Sequence, residues 1–130
     1  MKYLFDTDTL IDFLEDRDQV RTHISTMIEA GEELALCPIT IAELYSGLSE
    51  KKRLKWENWL TALPYWPISR EAARQAGITR KTASDQGRTL SVSDSLIAAV
   101  ARENDATVLT SNIKDYPPKD VRVMSLREAA

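Results

Sequence analysis

Residues 2–12 read Lys2-Tyr3-Leu4-Phe5-Asp6-Thr7-Asp8-Thr9-Leu10-Ile11-Asp12, and this stretch decides the fold. A β-favouring run, Tyr3-Leu4-Phe5, breaks off at Asp6, and an apolar pattern at Leu10, Ile11, Phe13 and Leu14 follows. The stretch therefore reads as a buried strand that stops at a carboxylate and passes into a helix. In open α/β sheets ligands lie just beyond the carboxyl ends of the strands, which is where Asp6 falls. An Asp at such a point also suits a helix cap, accepting from the free N–H groups of the first turn. Asp8 lies nearer the helical pattern and is the expected cap. That leaves Asp6 for a site.

Outward from this unit, helices and strands alternate. The first helix is expected from about Asp8 to Glu15. A second runs from about Asp18 to Ala30, with Val20, Ile24, Met27 and Ile28 on one face and Gly31 as its stop. Glu33 to Cys37 reads as a buried strand, and Pro38 and Thr40 open a helix carrying Ile41, Leu44, Tyr45 and Leu48. A basic helix from about Lys51 to Ala62 spaces Trp56, Trp59, Leu60 and Leu63 along one stripe, more simply as core than as an anchor for a partner. Leu63 to Ile68 reads as a short strand, Ser69 as the cap of a helix through about Thr82, and Ala83 to Ser91 as a polar loop. A helix from Ser93 to Asn104 presents Leu96, Ile97, Val100 and Ala101, and strands are expected at Thr107–Thr110 and Val121–Met124. This alternation predicts an α/β fold, a three-layer sandwich whose central, mostly parallel sheet has helices on both faces.

The 130 residues suit one domain, expected to span 1–130, and the 43% apolar content suits a packed core. The single cysteine, Cys37, excludes an intrachain disulfide, fits a reducing compartment and reads as a core residue. The apolar runs are too short to span a membrane and no basic, apolar leader is visible, so a soluble, cytoplasmic protein is expected. The net charge of −3 is unevenly spread: nine basic residues face three acids between Lys51 and Arg88. Such runs commonly form solvated helix faces, but the segregation is compatible with a polyanion docking there. The sole histidine, His23, reads as a surface residue, and Cys37 lacks the basic neighbours of a reactive thiolate.

Several acidic and amide side chains share one structural address. Asp6 ends the first strand, Glu43 lies in the helix after the second, Asp94 begins the helix before Thr107–Thr110, and Asn112 and Asp115 follow that strand. In a parallel sheet these points converge at one edge. Carboxylates gathered without His or Cys select hard cations such as Mg²⁺ or Mn²⁺, and a cation relieves their mutual repulsion. Each residue also has a structural reading. Thr40-x-x-Glu43 and Ser91-x-x-Asp94 match the capping-box pattern, and Asp115 before Tyr116-Pro117-Pro118 suits a turn. Their joint placement favours a site, because caps need not fall beside one sheet edge.

The same residues resemble the motifs of the PIN-domain family, and more closely those of its VapC-type toxin ribonucleases. Phe5-Asp6-Thr7-Asp8 with Leu10-Ile11 resembles the opening motif, and Ile39-Thr-Ile-Ala-Glu43-Leu-Tyr-Ser-Gly47 the second. Val92-Ser-Asp94-Ser-Leu-Ile-Ala-Ala99 is similar to the third, and Val108-Leu-Thr-Ser-Asn112-Ile-Lys-Asp115-Tyr116 to the closing segment, with Tyr116 where Phe is commoner. The resemblance implies an α/β/α sandwich, Mg²⁺- or Mn²⁺-dependent RNA cleavage, a homodimer, and inhibition by a cognate VapB-type antitoxin in a hetero-oligomer. By motif, Asp6, Glu43 and Asp94 match the acidic triad. Many relatives carry Asp where this chain has Asn112, so Asp115 is the expected fourth acid and Asn112 a neutral ligand or hydrogen-bonding partner.

The expected chemistry is metal-assisted hydrolysis of an RNA phosphodiester, with transfer RNA or messenger RNA as the substrate. Asp6, Asp94 and Asp115 are the expected metal ligands, Glu43 the group that orients or deprotonates water, and Thr7 and Thr110 the supporting hydroxyls. Arg80, Lys81 and Arg88 are the candidate grips on the RNA backbone. Phe5-Asp-Thr-Asp-Thr9 also suggests the nucleophile motif of an aspartyl phosphatase, but Leu10 stands where that motif wants Thr or Val. A catalytically silent module docking by the Trp56/Trp59 helix is the remaining alternative.

Overall fold

In the computed structural model, residues 1–116, 119 and 121–127 are described. Pro117 and Pro118 of the expected turn, and residues 128–130 of the expected domain, lie outside the described residues. The opening stretch forms strand β1 (Lys2–Phe5) and helix α1 (Thr7–Leu14). There follow α2 (Val20–Glu29), β2 (Glu33–Ala35), α3 (Pro38–Ser46) and α4 (Glu50–Ala62). The chain continues as α5 (Arg70–Asp85), α6 (Val92–Glu103), β3 (Thr107–Leu109), a 3₁₀ turn (Ile113–Asp115) and β4 (Arg122–Met124).

The sheet has the order β2-β1-β3-β4 and all its pairings are parallel, with Leu4 opposite both Ala35 and Val108, and Val108 opposite Val123. Because strand side chains alternate between faces, this register divides the core in two. Leu4, Ala35 and Val108 pack with Ala72 and Ala76 of α5 and with Ile97 and Val100 of α6. Phe5, Leu34 and Leu109 pack on the other face with Leu10 and Phe13 of α1, Ile24 of α2, Leu44 of α3 and Leu60 of α4. The expected three-layer α/β/α sandwich is thus the observed one. Chain order runs from β1 outward to β2 and then crosses back to β3, so the topological switch point lies between β1 and β3, where Asp6 emerges.

Local chemistry explains the element ends. Gly31 (φ +83°) and Gly87 (φ +77°) each close a helix by the paired bonds of a Schellman motif. Gly31 N–H donates to Ile28 and Glu32 N–H to Met27, while Gly87 N–H donates to Ser84 and Arg88 N–H to Ala83. The second motif carries α5 past the expected end at Thr82 to Asp85, shortening the polar loop. The strand expected at Leu63–Ile68 is reduced to one parallel bridge, Tyr65 beside Leu36. Pro64 and Pro67 lack the N–H groups a longer ladder needs, leaving Trp66 N–H to donate to Leu36. The tryptophans of α4 are core: Trp59 stacks on Phe13 with centroids 4.2 Å apart, and Trp56 meets the same ring edge-on at 5.6 Å. Cys37 is fully buried and His23 exposed, as expected. Among the described residues no helix is long and apolar enough to cross a membrane.

One buried charge needs a partner from far along the chain. Asp12 on α1 is 1% exposed, and Arg127 meets it with a two-pronged grip, Nε to Oδ2 at 2.8 Å and an Nη to Oδ1 at 3.1 Å. Removing one member of a buried pair leaves an uncompensated charge, which costs roughly 3–5 kcal/mol when no water reaches it. The Arg127 side chain is 44% exposed, so the loss is discounted for solvent. Arg127→Ala is expected to destabilise the protein by about 2 kcal/mol in urea denaturation, with much of it recovered in the Asp12→Asn/Arg127→Ala double variant. An unchanged midpoint for Arg127→Ala would remove the clasp from the account of stability.

Candidate active site

Asp6 stands where β1 ends, with its backbone N–H donating to Leu109 of β3 at 2.9 Å. The carbonyl of Phe5 loses the strand ladder there and accepts instead from the Thr40 hydroxyl at 2.8 Å. That contact uses Thr40 to fasten α3 to the end of β1. Thr40 does not cap α3, whose N-cap is Cys37 with Pro38 next, so the capping-box reading of Thr40-x-x-Glu43 does not hold and Glu43 is left for other partners.

The cap of α1 is Asp6 rather than Asp8, a correction to the expectation. Asp6 Oδ1 accepts from Thr7 N–H at 2.7 Å, because the strand ends one residue before the helix begins and Asp6 alone has extended backbone at that junction. Asp6 Oδ2 accepts from two hydroxyls, Thr110 and Tyr116, each at 2.9 Å. Asp8 turns to the segment after β3, where its Oδ2 accepts from Ser111 N–H and from Asn112 Nδ2, both at 3.0 Å, and from the Ser111 hydroxyl.

The other expected acids gather around this pair. Glu43 Oε1 accepts from the Thr7 hydroxyl at 2.9 Å, so one threonine links the first two motifs. Asp94 sits in the first turn of α6, where Ser91 caps by accepting from Asp94 N–H at 3.0 Å. The Tyr116 hydroxyl lies 3.5 Å from Asp94 Oδ1 while donating to Asp6, and so touches both carboxylates. Asp115, exposed on the 3₁₀ turn, is close enough for its charge to reach Asp94. Asn112 is a donor to Asp8 rather than a member of the Asp6–Asp94 pair.

Burial is the main electrostatic force at this edge. It pushes the Asp6 carboxyl up to about 6, with the Asp8 charge adding to the rise and the Tyr116, Thr110 and Thr7 donors opposing it. Burial also raises Asp94, opposed by its hydrogen bond with Ser91 and reinforced by the charges of Asp115 and Glu43. The buried Tyr116 hydroxyl, facing Asp6 and Asp94, is held well above the ordinary tyrosine range. Among the described residues no three His, Cys, Asp or Glu side chains close into a ready-made metal cage. Mg²⁺ does not require one: it keeps several waters and takes one or two carboxylates, so the all-oxygen Asp6–Asp94 pair fits its chemistry.

The expected backbone grips share one groove on the α5–α6 side. Arg80, Lys81 and Arg88 line a groove of about 340 Å³ with Ser84, Thr89 and Leu90. Arg80 Nε donates to the Leu90 carbonyl at 3.0 Å, bracing the loop into α6, and Lys81 pairs with Asp85 at 2.7 Å. Sequence reasoning missed Tyr116, treated as packing, and the Asp8–Ser111 contact. The signal for Tyr116 was its hydroxyl, the one chemical difference from the commoner Phe.

The PIN domain model matches residues 3–115. Ribonuclease VapC19 of Mycobacterium tuberculosis is 28% identical over 114 residues, covering 88% of this chain and 91% of that protein. The structure of VapBC2 from Rickettsia felis, bound to a DNA fragment from its promoter, superimposes with a TM-score of 0.83 at 22% identity, covering 96% of this chain and 98% of that one. A toxin–antitoxin complex from Klebsiella pneumoniae does so with a TM-score of 0.78 at 23% identity, covering 98% and 99%.

The raised carboxyl of Asp6 has a sign that can be tested. Its folded value of about 6 lies above the ordinary 3.8, so folding binds a proton, and the associated stability is present below pH 4 and lost as pH rises through 6. Two units correspond to about 3 kcal/mol. In chelator, Asp6→Asn is expected to melt higher than wild type at pH 8, the gap closing below pH 5. Equal melting temperatures at pH 8 would contradict this.

Proposed function

This chain belongs to the PIN-domain family, and from that footing we propose that it is an endoribonuclease toxin, restrained by a cognate VapB-type antitoxin. The observation that carries the reading is the Asp6–Asp94 pair spanned by the Tyr116 hydroxyl at the switch point of the sheet, with Glu43 hydrogen-bonded alongside. Asp6 and Asp94 would hold a divalent cation, Mg²⁺ or Mn²⁺, with Asp115 on the open side. Such a cation would supply Lewis-acid chemistry there, polarising a phosphate and making a nearby water a stronger acid. Glu43, oriented through Thr7, accepts the proton of the attacking water. Thr110 holds the Asp6 carboxylate in place. Asn112 and Ser111 fix Asp8, keeping it from drifting into the pair as a competing ligand.

The groove at Arg80, Lys81 and Arg88 grips the phosphate backbone, a contact that adds affinity without reading sequence. Its substrate is RNA, transfer or messenger, and the protein acts in the cytoplasm as a homodimer, passing into a hetero-oligomer with the antitoxin. An aspartyl-phosphatase reading is disfavoured by the same hydrogen bonds. Asp8, the acid–base partner such a mechanism needs, is committed to Ser111 and Asn112.

Cleavage of total RNA after brief induction, with the ends mapped, tests the proposal. Wild type is expected to leave discrete ends that chelator abolishes in vitro. Glu43→Gln is expected to slow cleavage roughly 100-fold or more, as loss of a general base does, and Asp94→Asn to abolish it. Full activity in Asp94→Asn, or undiminished cleavage in chelator, would overturn the reading.

A further inference from the structure

Tyr116 closes the 3₁₀ turn that carries Asp115, with its N–H donating to Ile113 at 3.2 Å. Its ring is 2% exposed and packs in the core formed by Leu4, Ile97, Val100 and Val108. Packing alone would be served as well by phenylalanine, which fills the same space. The hydroxyl adds something the ring does not require, because it emerges at the polar edge between two carboxylates from different elements. It stands 2.9 Å from Asp6 Oδ2 at the end of β1 and 3.5 Å from Asp94 Oδ1 at the start of α6. A core-anchored ring has little freedom to move, so its hydroxyl sets how far apart those two oxygens stand. The same residue fixes the turn bearing Asp115, whose charge acts on Asp94.

We propose that Tyr116 is a positioning residue: a rigid strut that sets the spacing of the Asp6 and Asp94 carboxylates for a small, geometrically demanding cation. The inference rests on the cation reading of the site given above. Mg²⁺ demands near-ideal octahedral geometry at short distances, whereas Ca²⁺ accepts longer bonds and variable coordination. A spacer between two ligands therefore matters more for Mg²⁺ than for Ca²⁺. Groups that orient metal ligands by hydrogen bonding typically contribute about 10–100-fold in affinity.

The test is calorimetric titration of wild type and Tyr116→Phe with Mg²⁺ and, separately, with Ca²⁺. Tyr116→Phe is expected to weaken Mg²⁺ binding by about 10–100-fold while changing Ca²⁺ binding several-fold less, so that the Mg²⁺/Ca²⁺ ratio falls. In a cleavage assay, raising Mg²⁺ is expected to restore turnover in Tyr116→Phe. Unchanged Mg²⁺ affinity, or equal losses for the two cations, would overturn the strut while leaving the nuclease reading intact. If wild type itself binds neither cation, the cation reading fails and the strut fails with it.

Discussion

The structure depends on bringing like charges to one buried edge and keeping them there. Asp6 is 9% exposed, yet its two oxygens accept from Thr7 N–H, Thr110 and Tyr116. Each donor compensates part of the cost of taking a carboxylate out of water. The donors come from the first turn of α1, the end of β3 and the turn beyond it. Those elements are therefore held in register by the carboxylate as much as by the sheet. A carboxylate has room for about four hydrogen bonds, so three donors leave one direction open. Asp6 is thus a structural cap, a cross-sheet tie and a vacant ligand at once.

Threonines do much of the joining. Thr40 takes over the Phe5 carbonyl, Thr9 donates to the Leu109 carbonyl at 2.9 Å, Thr7 holds Glu43 and Thr110 holds Asp6. Each stands where a strand has run out of ladder partners or a helix has begun. Hydroxyls suit these places because one group can donate to a carbonyl while leaving the backbone free to turn. Across the α5–α6 loop, Arg80 does similar work. Its guanidinium braces the Leu90 carbonyl just before the Ser91 cap, so a residue expected to meet RNA also supports the loop that leads to Asp94.

Much of this was legible in the sequence, for reasons tied to particular residues. The β-favouring run Tyr3-Leu4-Phe5 and the apolar helix faces that include Leu10 and Phe13, Ile24, and Leu44 reflect burial against a sheet, so the sandwich could be read. Asp6, Glu43, Asp94 and Asp115 could be put forward because element order placed them at one edge and their motifs resemble those of the PIN-domain family. What could not be read is which oxygen meets which donor. Asp8 looked the better cap because it lies deeper in the helical pattern. Capping was decided instead by the extended backbone at Asp6 and by Ser111 and Asn112, which arrive more than a hundred residues later. Tyr116 looked like packing because its ring is packing. The hydroxyl acquires meaning only when Asp6 and Asp94 are seen on either side of it. The helix end at Asp85 and the single bridge at Tyr65 turned on Gly87, Pro64 and Pro67, whose effects depend on neighbouring segments.

The central strand comes first in the chain, yet its neighbour β3 and the donors that complete Asp6 come near the end. Chains are made from the N-terminus, and early segments begin folding before later ones exist. During synthesis β1 can pair with β2 and bury part of one face. Asp6 at that stage is a bare carboxylate with no Thr110, no Tyr116 and no Asp94 beside it, and Asp12 has no Arg127. The site and its braces are therefore joined only once the segment from Thr107 onward has emerged and brought Thr110, Tyr116 and Arg127 to their carboxylates.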